Sequence, residues 1–181
     1  MDLHCATAIN LTDGFNGGPC PGDQLYLGCH YGIYLFFELP SSAFFGHIKE
    51  ATLILFKIPG HLAHCHFIPQ NSIYSIYPLL DFYNVYNRWY APPRIDAALS
   101  VDYDDQACMS YSEIDITMIV QSWMKAAPEN KGLLLTGAPN GPFLVYASDR
   151  HECVGMRPTL RLKYEEFPLP LSTASCVVRI L

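Results

Sequence analysis

His61, His64 and His66 surround Cys65 in a segment of strand-like composition. On a strand, His64 and His66 share one face and Cys65 points to the other. Two such imidazoles supply part of a zinc-type ligand set, with a third ligand needed from elsewhere. Ordinary strand-face histidines are the plainer reading, so His64 and His66 are weak metal candidates and no cofactor is expected. Asp102, Asp104 and Asp105 offer oxygen ligands to a hard cation such as Ca²⁺. Their spacing is not that of an EF-hand loop, and a solvated acidic turn is the simpler reading. The chain carries no nucleophile elbow, no phosphate-cradling glycine loop and no HExxH helix motif, so no catalytic residue is assigned and no enzyme is expected.

An aromatic run, Phe82, Tyr83, Tyr86, Trp89 and Tyr90, offers a different chemistry. Flat rings stack on sugars, and Trp89 and Tyr90 beside Arg88 and Asp96 form the candidate platform. The competing reading is a crossover that covers one end of a core, where large aromatics bury the most surface.

The seven cysteines, Cys5, Cys20, Cys29, Cys65, Cys108, Cys153 and Cys176, form no CxxC pair. A zinc ribbon and a thioredoxin-type site are therefore disfavoured. Cys29, Cys65 and Cys108 read as small buried apolar residues. Cys5 and Cys176 lie in terminal tails and Cys20 in a Gly/Pro loop. These three are the candidates for disulfides between chains in an oxidising setting.

The elements that must position these groups are mostly strands. The chain of 181 residues is half apolar, only 15% charged, and rich in Tyr (12) and Phe (10). That composition excludes disorder and coiled coils and fits a β protein. A net charge of −6 without a basic cluster argues against nucleic acid as a partner. No apolar run reaches the ~18 residues of a membrane-spanning helix. The opening Met-Asp-Leu-His-Cys has neither a cationic patch nor an apolar stretch, so no secretory signal is expected and synthesis in a cytoplasm follows.

Strands are expected over Ala6–Leu11, Gln24–Cys29, Gly32–Leu39, His47–Ile58, His61–Ile68, Ile73–Leu79, Ala97–Tyr103, Ala107–Tyr111, Gly132–Gly137, Phe143–Ser148 and Thr159–Tyr164. One helix, about 117–126, is capped by Asp115 or Thr117 and places Ile116, Ile119, Val120, Trp123 and Met124 at helical spacing. Many short strands and one helix indicate an all-β jelly-roll or β-sandwich with extended N- and C-terminal tails. The organisation is a segment or strand over 1–12, the sandwich over 13–164, and a strap plus strand over 165–181.

The order of motifs is informative. Leu25-Tyr26-Leu27-Gly28, Tyr34–Pro40 and Ile48–Phe56 come first. Asp115-Ile116-Thr117, Val120, Trp123, Asn130-Lys131-Gly132-Leu133, Ala147-Ser148 and Arg157-Pro158-Thr159-Leu160 follow. This series, over about Gln24–Tyr164, resembles the DNRLRE-type β-sandwich domains of bacterial and archaeal surface proteins. Tyr34-Leu35 stands where that family usually has an Arg, so a ligand role tied to that Arg does not carry over. The resemblance implies a jelly roll, a cell- or spore-surface location, and glycan binding as one family theme.

The segment after Tyr164 is surplus to such a sandwich. Alternating prolines make Phe167–Leu171 an extended strap. Cys176, Val177, Val178, Arg179, Ile180 and Leu181 have strand composition. Such a segment can add to a neighbour's sheet edge through main-chain bonds, and repeated head-to-tail addition generates a fibre or ring. The sequence therefore predicts a subunit whose partner is itself, assembling into a filament or coat through its termini with Cys5, Cys20 and Cys176 available for covalent joins. The alternative is a carbohydrate-binding module.

Overall fold

A computed structural model describes residues 1–12, 22–28, 31–40, 47–58, 73–83, 93–105, 108–125, 129–137 and 144–165. In chain order the strands are β1 (Asp2–His4), β2 (Thr7–Thr12), β3 (Gln24–Leu27), β4 (Tyr31–Phe36), β5 (Ile48–Phe56), β6 (Ile73–Pro78), β7 (Val101–Asp104) and β8 (Tyr111–Asp115). Helix α1 (Thr117–Met124) precedes β9 (Leu133–Gly137), β10 (Leu144–Ala147) and β11 (Thr159–Tyr164).

The strands pair as one long nested hairpin. β6 pairs with β7, β5 with β8, β4 with β9 and β3 with β10, all antiparallel. Wrapping this hairpin gives two main sheets, β1-β11-β5-β8 and β2-β4-β9-β6-β7, with β10-β3 as a short third. Nested antiparallel pairing shared between two sheets is the topology of a jelly-roll sandwich.

Alternation in the sequence decides which side chains enter the core. In the first sheet the register aligns Leu3, Leu160, Leu53 and Ile114 in one row. In the second it aligns Asn10, Ile33, Leu135, Ile76 and Val101. Leu53, Leu160, Ile33, Leu135 and Ile76 have no exposed surface. Asn10 is the polar member of its row. Its side-chain amide donates to Gln24 O (3.0 Å) and its Oδ1 accepts from Tyr26 N (2.7 Å), so it ties β2 to β3 without an unmet polar group.

The helix docks on the start of β5. Asp115 Oδ1 accepts from Thr117 N (2.9 Å) and Thr117 Oγ1 (2.5 Å), while Thr117 Oγ1 accepts from Ala51 N (2.9 Å). Ile119, Val120 and Trp123 are buried beneath it. Gly132 enters β9 at φ +104°, where an added Cβ would lie 2.6 Å from the Tyr34 ring and 2.8 Å from Leu35 O. Only glycine fits both the dihedral and the space.

Three expectations are corrected. Residues 1–12 form strands, as expected for Ala6–Leu11, and are not an extended tail: β1 pairs with β11 and β2 with β4, with Leu3 and Ala8 packed against the core and Asn10 satisfied by β3. The strand expected over Ala97–Tyr103 begins only at Val101. Asp96 Oδ1 accepts from Ala98 N and folds Ala97–Leu99 into a 3-10 turn first. The strand expected over Ala107–Tyr111 instead runs Tyr111–Asp115, because Ser112 and Ile114 alternate inward while Glu113 and Asp115 face solvent. The expected strand His61–Ile68 lies outside the described residues.

Candidate functional site

The main cluster of chemistry-bearing side chains sits where β5, β7, β8 and β10 end together. Lys57 continues β5 and bridges to Tyr146 of β10. Its Nζ lies 2.8 Å from Asp105 Oδ2, with the two side chains 10% and 7% exposed. Asp105 Oδ1 accepts from Ser112 Oγ at 2.8 Å. Ser112 Oγ is 3.0 Å from the Tyr146 hydroxyl, which is 3.5 Å from that of Tyr103.

Burial is the main force on the two phenols. It pushes Tyr146 and Tyr103 well above the ordinary tyrosine range, and the negative charge of Asp105 adds to the effect. Both hydroxyls therefore stay protonated and serve as neutral hydrogen-bond donors. The Lys57–Asp105 pair is held out of water, and loss of either partner would strand the other charge, at a cost of about 3–5 kcal/mol.

Beside this network a cleft of about 210 Å³ opens between β7 and β8. Tyr103, Asp104, Met109, Tyr111, Ser112 and Glu113 line it. Tyr111 is steadied by Phe56, 5.8 Å away between ring centroids. Two tyrosines and two carboxylates lie together along it, a side-chain set that can offer a polyhydroxylated ligand apolar surface and acceptors for its hydroxyls. β7 and β8 are also the ends of their sheets among the described residues.

The sequence candidates fall out as follows. Cys5 is not an exposed tail thiol. It is 8% exposed, and its Sγ donates to Thr7 O (3.0 Å) with Phe36 O at 3.4 Å. Burial pushes the thiol up to about 12, so it is a poor partner for a disulfide between chains while β1 stays paired. Cys108, expected to be buried, is exposed, as is Cys153. Cys20, Cys29, Cys65 and Cys176 lie outside the described residues, as do Val177, Val178, Arg179, Ile180 and Leu181. The same holds for His61, His64, His66, Arg88, Trp89 and Tyr90.

Of the aromatic run only Phe82 and Tyr83 are described, and Phe82 remains 55% exposed. Tyr83 lies 5.2 Å from Tyr34 and Phe82 lies 6.2 Å from Phe36, with Lys131 Nζ 3.9 Å above the Phe82 ring. Among the described residues no three His, Cys, Asp or Glu side chains gather as a metal site. The acidic trio is split: Asp102 accepts from Ser75 Oγ at 2.6 Å, Asp104 is exposed, and Asp105 is buried against Lys57. Asp105 is thus not part of a solvated turn, because the end of β7 turns it inward. No helix among the described residues is long and apolar enough to cross a membrane.

Sequence reading missed Lys57, Ser112, Tyr103 and Tyr146. One local signal was available: Lys57 is the single charge in the apolar stretch Leu53–Ile58. In comparison with known proteins, the chain matches no family model and no curated protein.

Proposed function

We propose that this protein is a structural subunit, not an enzyme, and that it assembles head-to-tail with copies of itself into a filament or coat at a cell or spore surface. One observation carries the reading. β11 is flanked on both sides, by β1 and β5, so the strand that leads into the C-terminal segment has no free edge to offer it. A segment with the strand-like composition of Cys176–Leu181 would then take main-chain partners at a sheet end. β7 and β8 supply two such ends side by side, and addition there would use ordinary strand pairing. Cys20 and Cys176 remain the candidates for a covalent join, and the motif order resembling DNRLRE-type surface domains points to the same location.

The test is deletion of Cys176–Leu181. Full-length protein should form fibres or rings under the electron microscope, with a reductant-sensitive ladder on gels. The truncated chain should be a folded monomer with an unchanged circular dichroism spectrum. A full-length protein that stays monomeric, or a truncated one that assembles just as well, sinks the proposal.

The cleft favours a second reading, a carbohydrate-binding module. Tyr103 and Tyr111 beside Asp104 and Glu113 in its lining support glycan binding there, separately from the expected platform at Arg88, Trp89 and Tyr90. Glycan-array binding that Tyr111→Ala abolishes, and that loss of the C-terminal hexapeptide leaves intact, would favour it over assembly.

A further inference from the structure

The Lys57–Asp105 contact has the geometry of a reaction as well as of an ion pair. The amine nitrogen and a carboxylate oxygen are 2.8 Å apart, each on a side chain about nine-tenths buried, and each is fixed by a strand end. Such placement turns a sluggish bimolecular condensation into an intramolecular one, and effective molarities for well-held groups are very large. Asp105 Oδ1 already accepts a hydrogen bond from Ser112 Oγ, which the Tyr146 hydroxyl backs at 3.0 Å. That is a neutral donor aimed at the oxygen on which charge would develop. The product would also remove two buried charges, relieving the desolvation that burdens an ion pair in an apolar setting.

We propose that Lys57 and Asp105 condense into an intramolecular amide that covalently ties the end of β5 to the segment between β7 and β8. Within the contact, the Lys57 ammonium passes one proton to Asp105 Oδ2, leaving a neutral amine and a neutral acid. The Nζ lone pair forms a bond to Cγ, and the negative charge gathers on Oδ1, where Ser112 Oγ–H donates. A second proton moves from Nζ to the Oδ2 hydroxyl, the Cγ–Oδ2 bond breaks, and water leaves. The balance is one ammonium and one carboxylate in, one amide and one water out, with no oxidant or co-reactant. The bond closes a loop around β6 and β7, and it stands independently of the assembly and glycan readings.

Intact-mass spectrometry of the reduced, denatured full chain tests this. The expected mass is lower than that of the sequence by one water, and a protease digest should yield a branched peptide joining Lys57 to Asp105. Lys57→Arg, which keeps the charge but cannot condense in this way, should restore the full mass. In Asp105→Asn the same attack expels ammonia, so the deficit should change from one water to one ammonia. A wild-type chain at full sequence mass overturns the proposal. So does a water deficit that persists in Lys57→Arg or Asp105→Asn, since dehydration would then lie elsewhere. If Lys57→Arg fails to fold, the wild-type and Asp105→Asn masses still decide.

Discussion

Ser112 Oγ and the Tyr146 hydroxyl stand 3.0 Å apart, although 34 positions separate them in the chain and they belong to β8 and β10. Tyr146 has no exposed surface. Tyr146→Phe keeps the ring and removes this bond, so the folded state should lose about 1 kcal/mol. Tyr146→Ala also empties the ring's volume and should lose about 3–5 kcal/mol. Urea unfolding followed by tryptophan fluorescence separates the two.

Gly132→Ala puts a methyl group where the Tyr34 ring and Leu35 O already are, at a φ of +104°. A loss of about 2 kcal/mol is expected from the dihedral and the overlap together. Gly155 meets nothing within 4 Å, so Gly155→Ala should stay within about 0.5 kcal/mol of wild type.

Asp115→Ala removes the acceptor shared by the Thr117 N–H and hydroxyl at the start of α1. A loss of about 1 kcal/mol is expected, the usual net worth of a side-chain hydrogen bond, although the N-cap position itself is Ile116. The native circular dichroism spectrum should be unchanged below the melting transition.

Alkaline pH should destabilise the sandwich. Burial raises the Cys5 thiol from its ordinary 9.0 to about 12, so the unfolded chain gives up that proton before the folded one does. The stabilisation is complete below pH 9 and is lost as pH climbs towards 12, with a slope of up to about 1.4 kcal/mol per pH unit. Tyr34, Tyr103 and Tyr146 are shifted upward and act with the same sign. Cys5→Ala should flatten the profile between pH 9 and 12. Thiol labelling at pH 8 should mark Cys108 and Cys153 quickly and Cys5 only on unfolding, as peptide mapping would read out.

Local signals were enough for much of the fold. Arg157-Pro158 cannot continue a turn into a helix, and Thr-Leu-Arg-Leu-Lys-Tyr alternates, so Thr159–Tyr164 was legible to the residue. Ile119, Val120 and Trp123 marked the buried face of α1 in the same way. Ala97–Leu99 was misread because one side-chain acceptor, Asp96, outweighs the weak strand preference of Ala-Ala-Leu. Cys5 was misread as an exposed thiol because its burial depends on Pro158 and Phe36, far along the chain. The same limit hid the Lys57–Asp105 pair. Lys57 stands out as a lone charge in an apolar stretch, but its partner Asp105 looks like an ordinary surface charge until the nested pairing brings β5 and β7 to one end.

That nesting has a kinetic consequence. Within the nested set β6 and β7 are the closest partners in sequence, so theirs is the least entropically demanding of these pairs, and each further nested pair closes a longer loop; β2 and β4, nearer still in sequence, pair alongside. β1 meets β11 across almost the whole described chain and has most to gain from waiting. Folding should be slow, on the order of milliseconds to seconds as for other β topologies rich in distant contacts. It should proceed as a zipper from the middle of the sequence outward, with β1 and β11 joining after the centre has set.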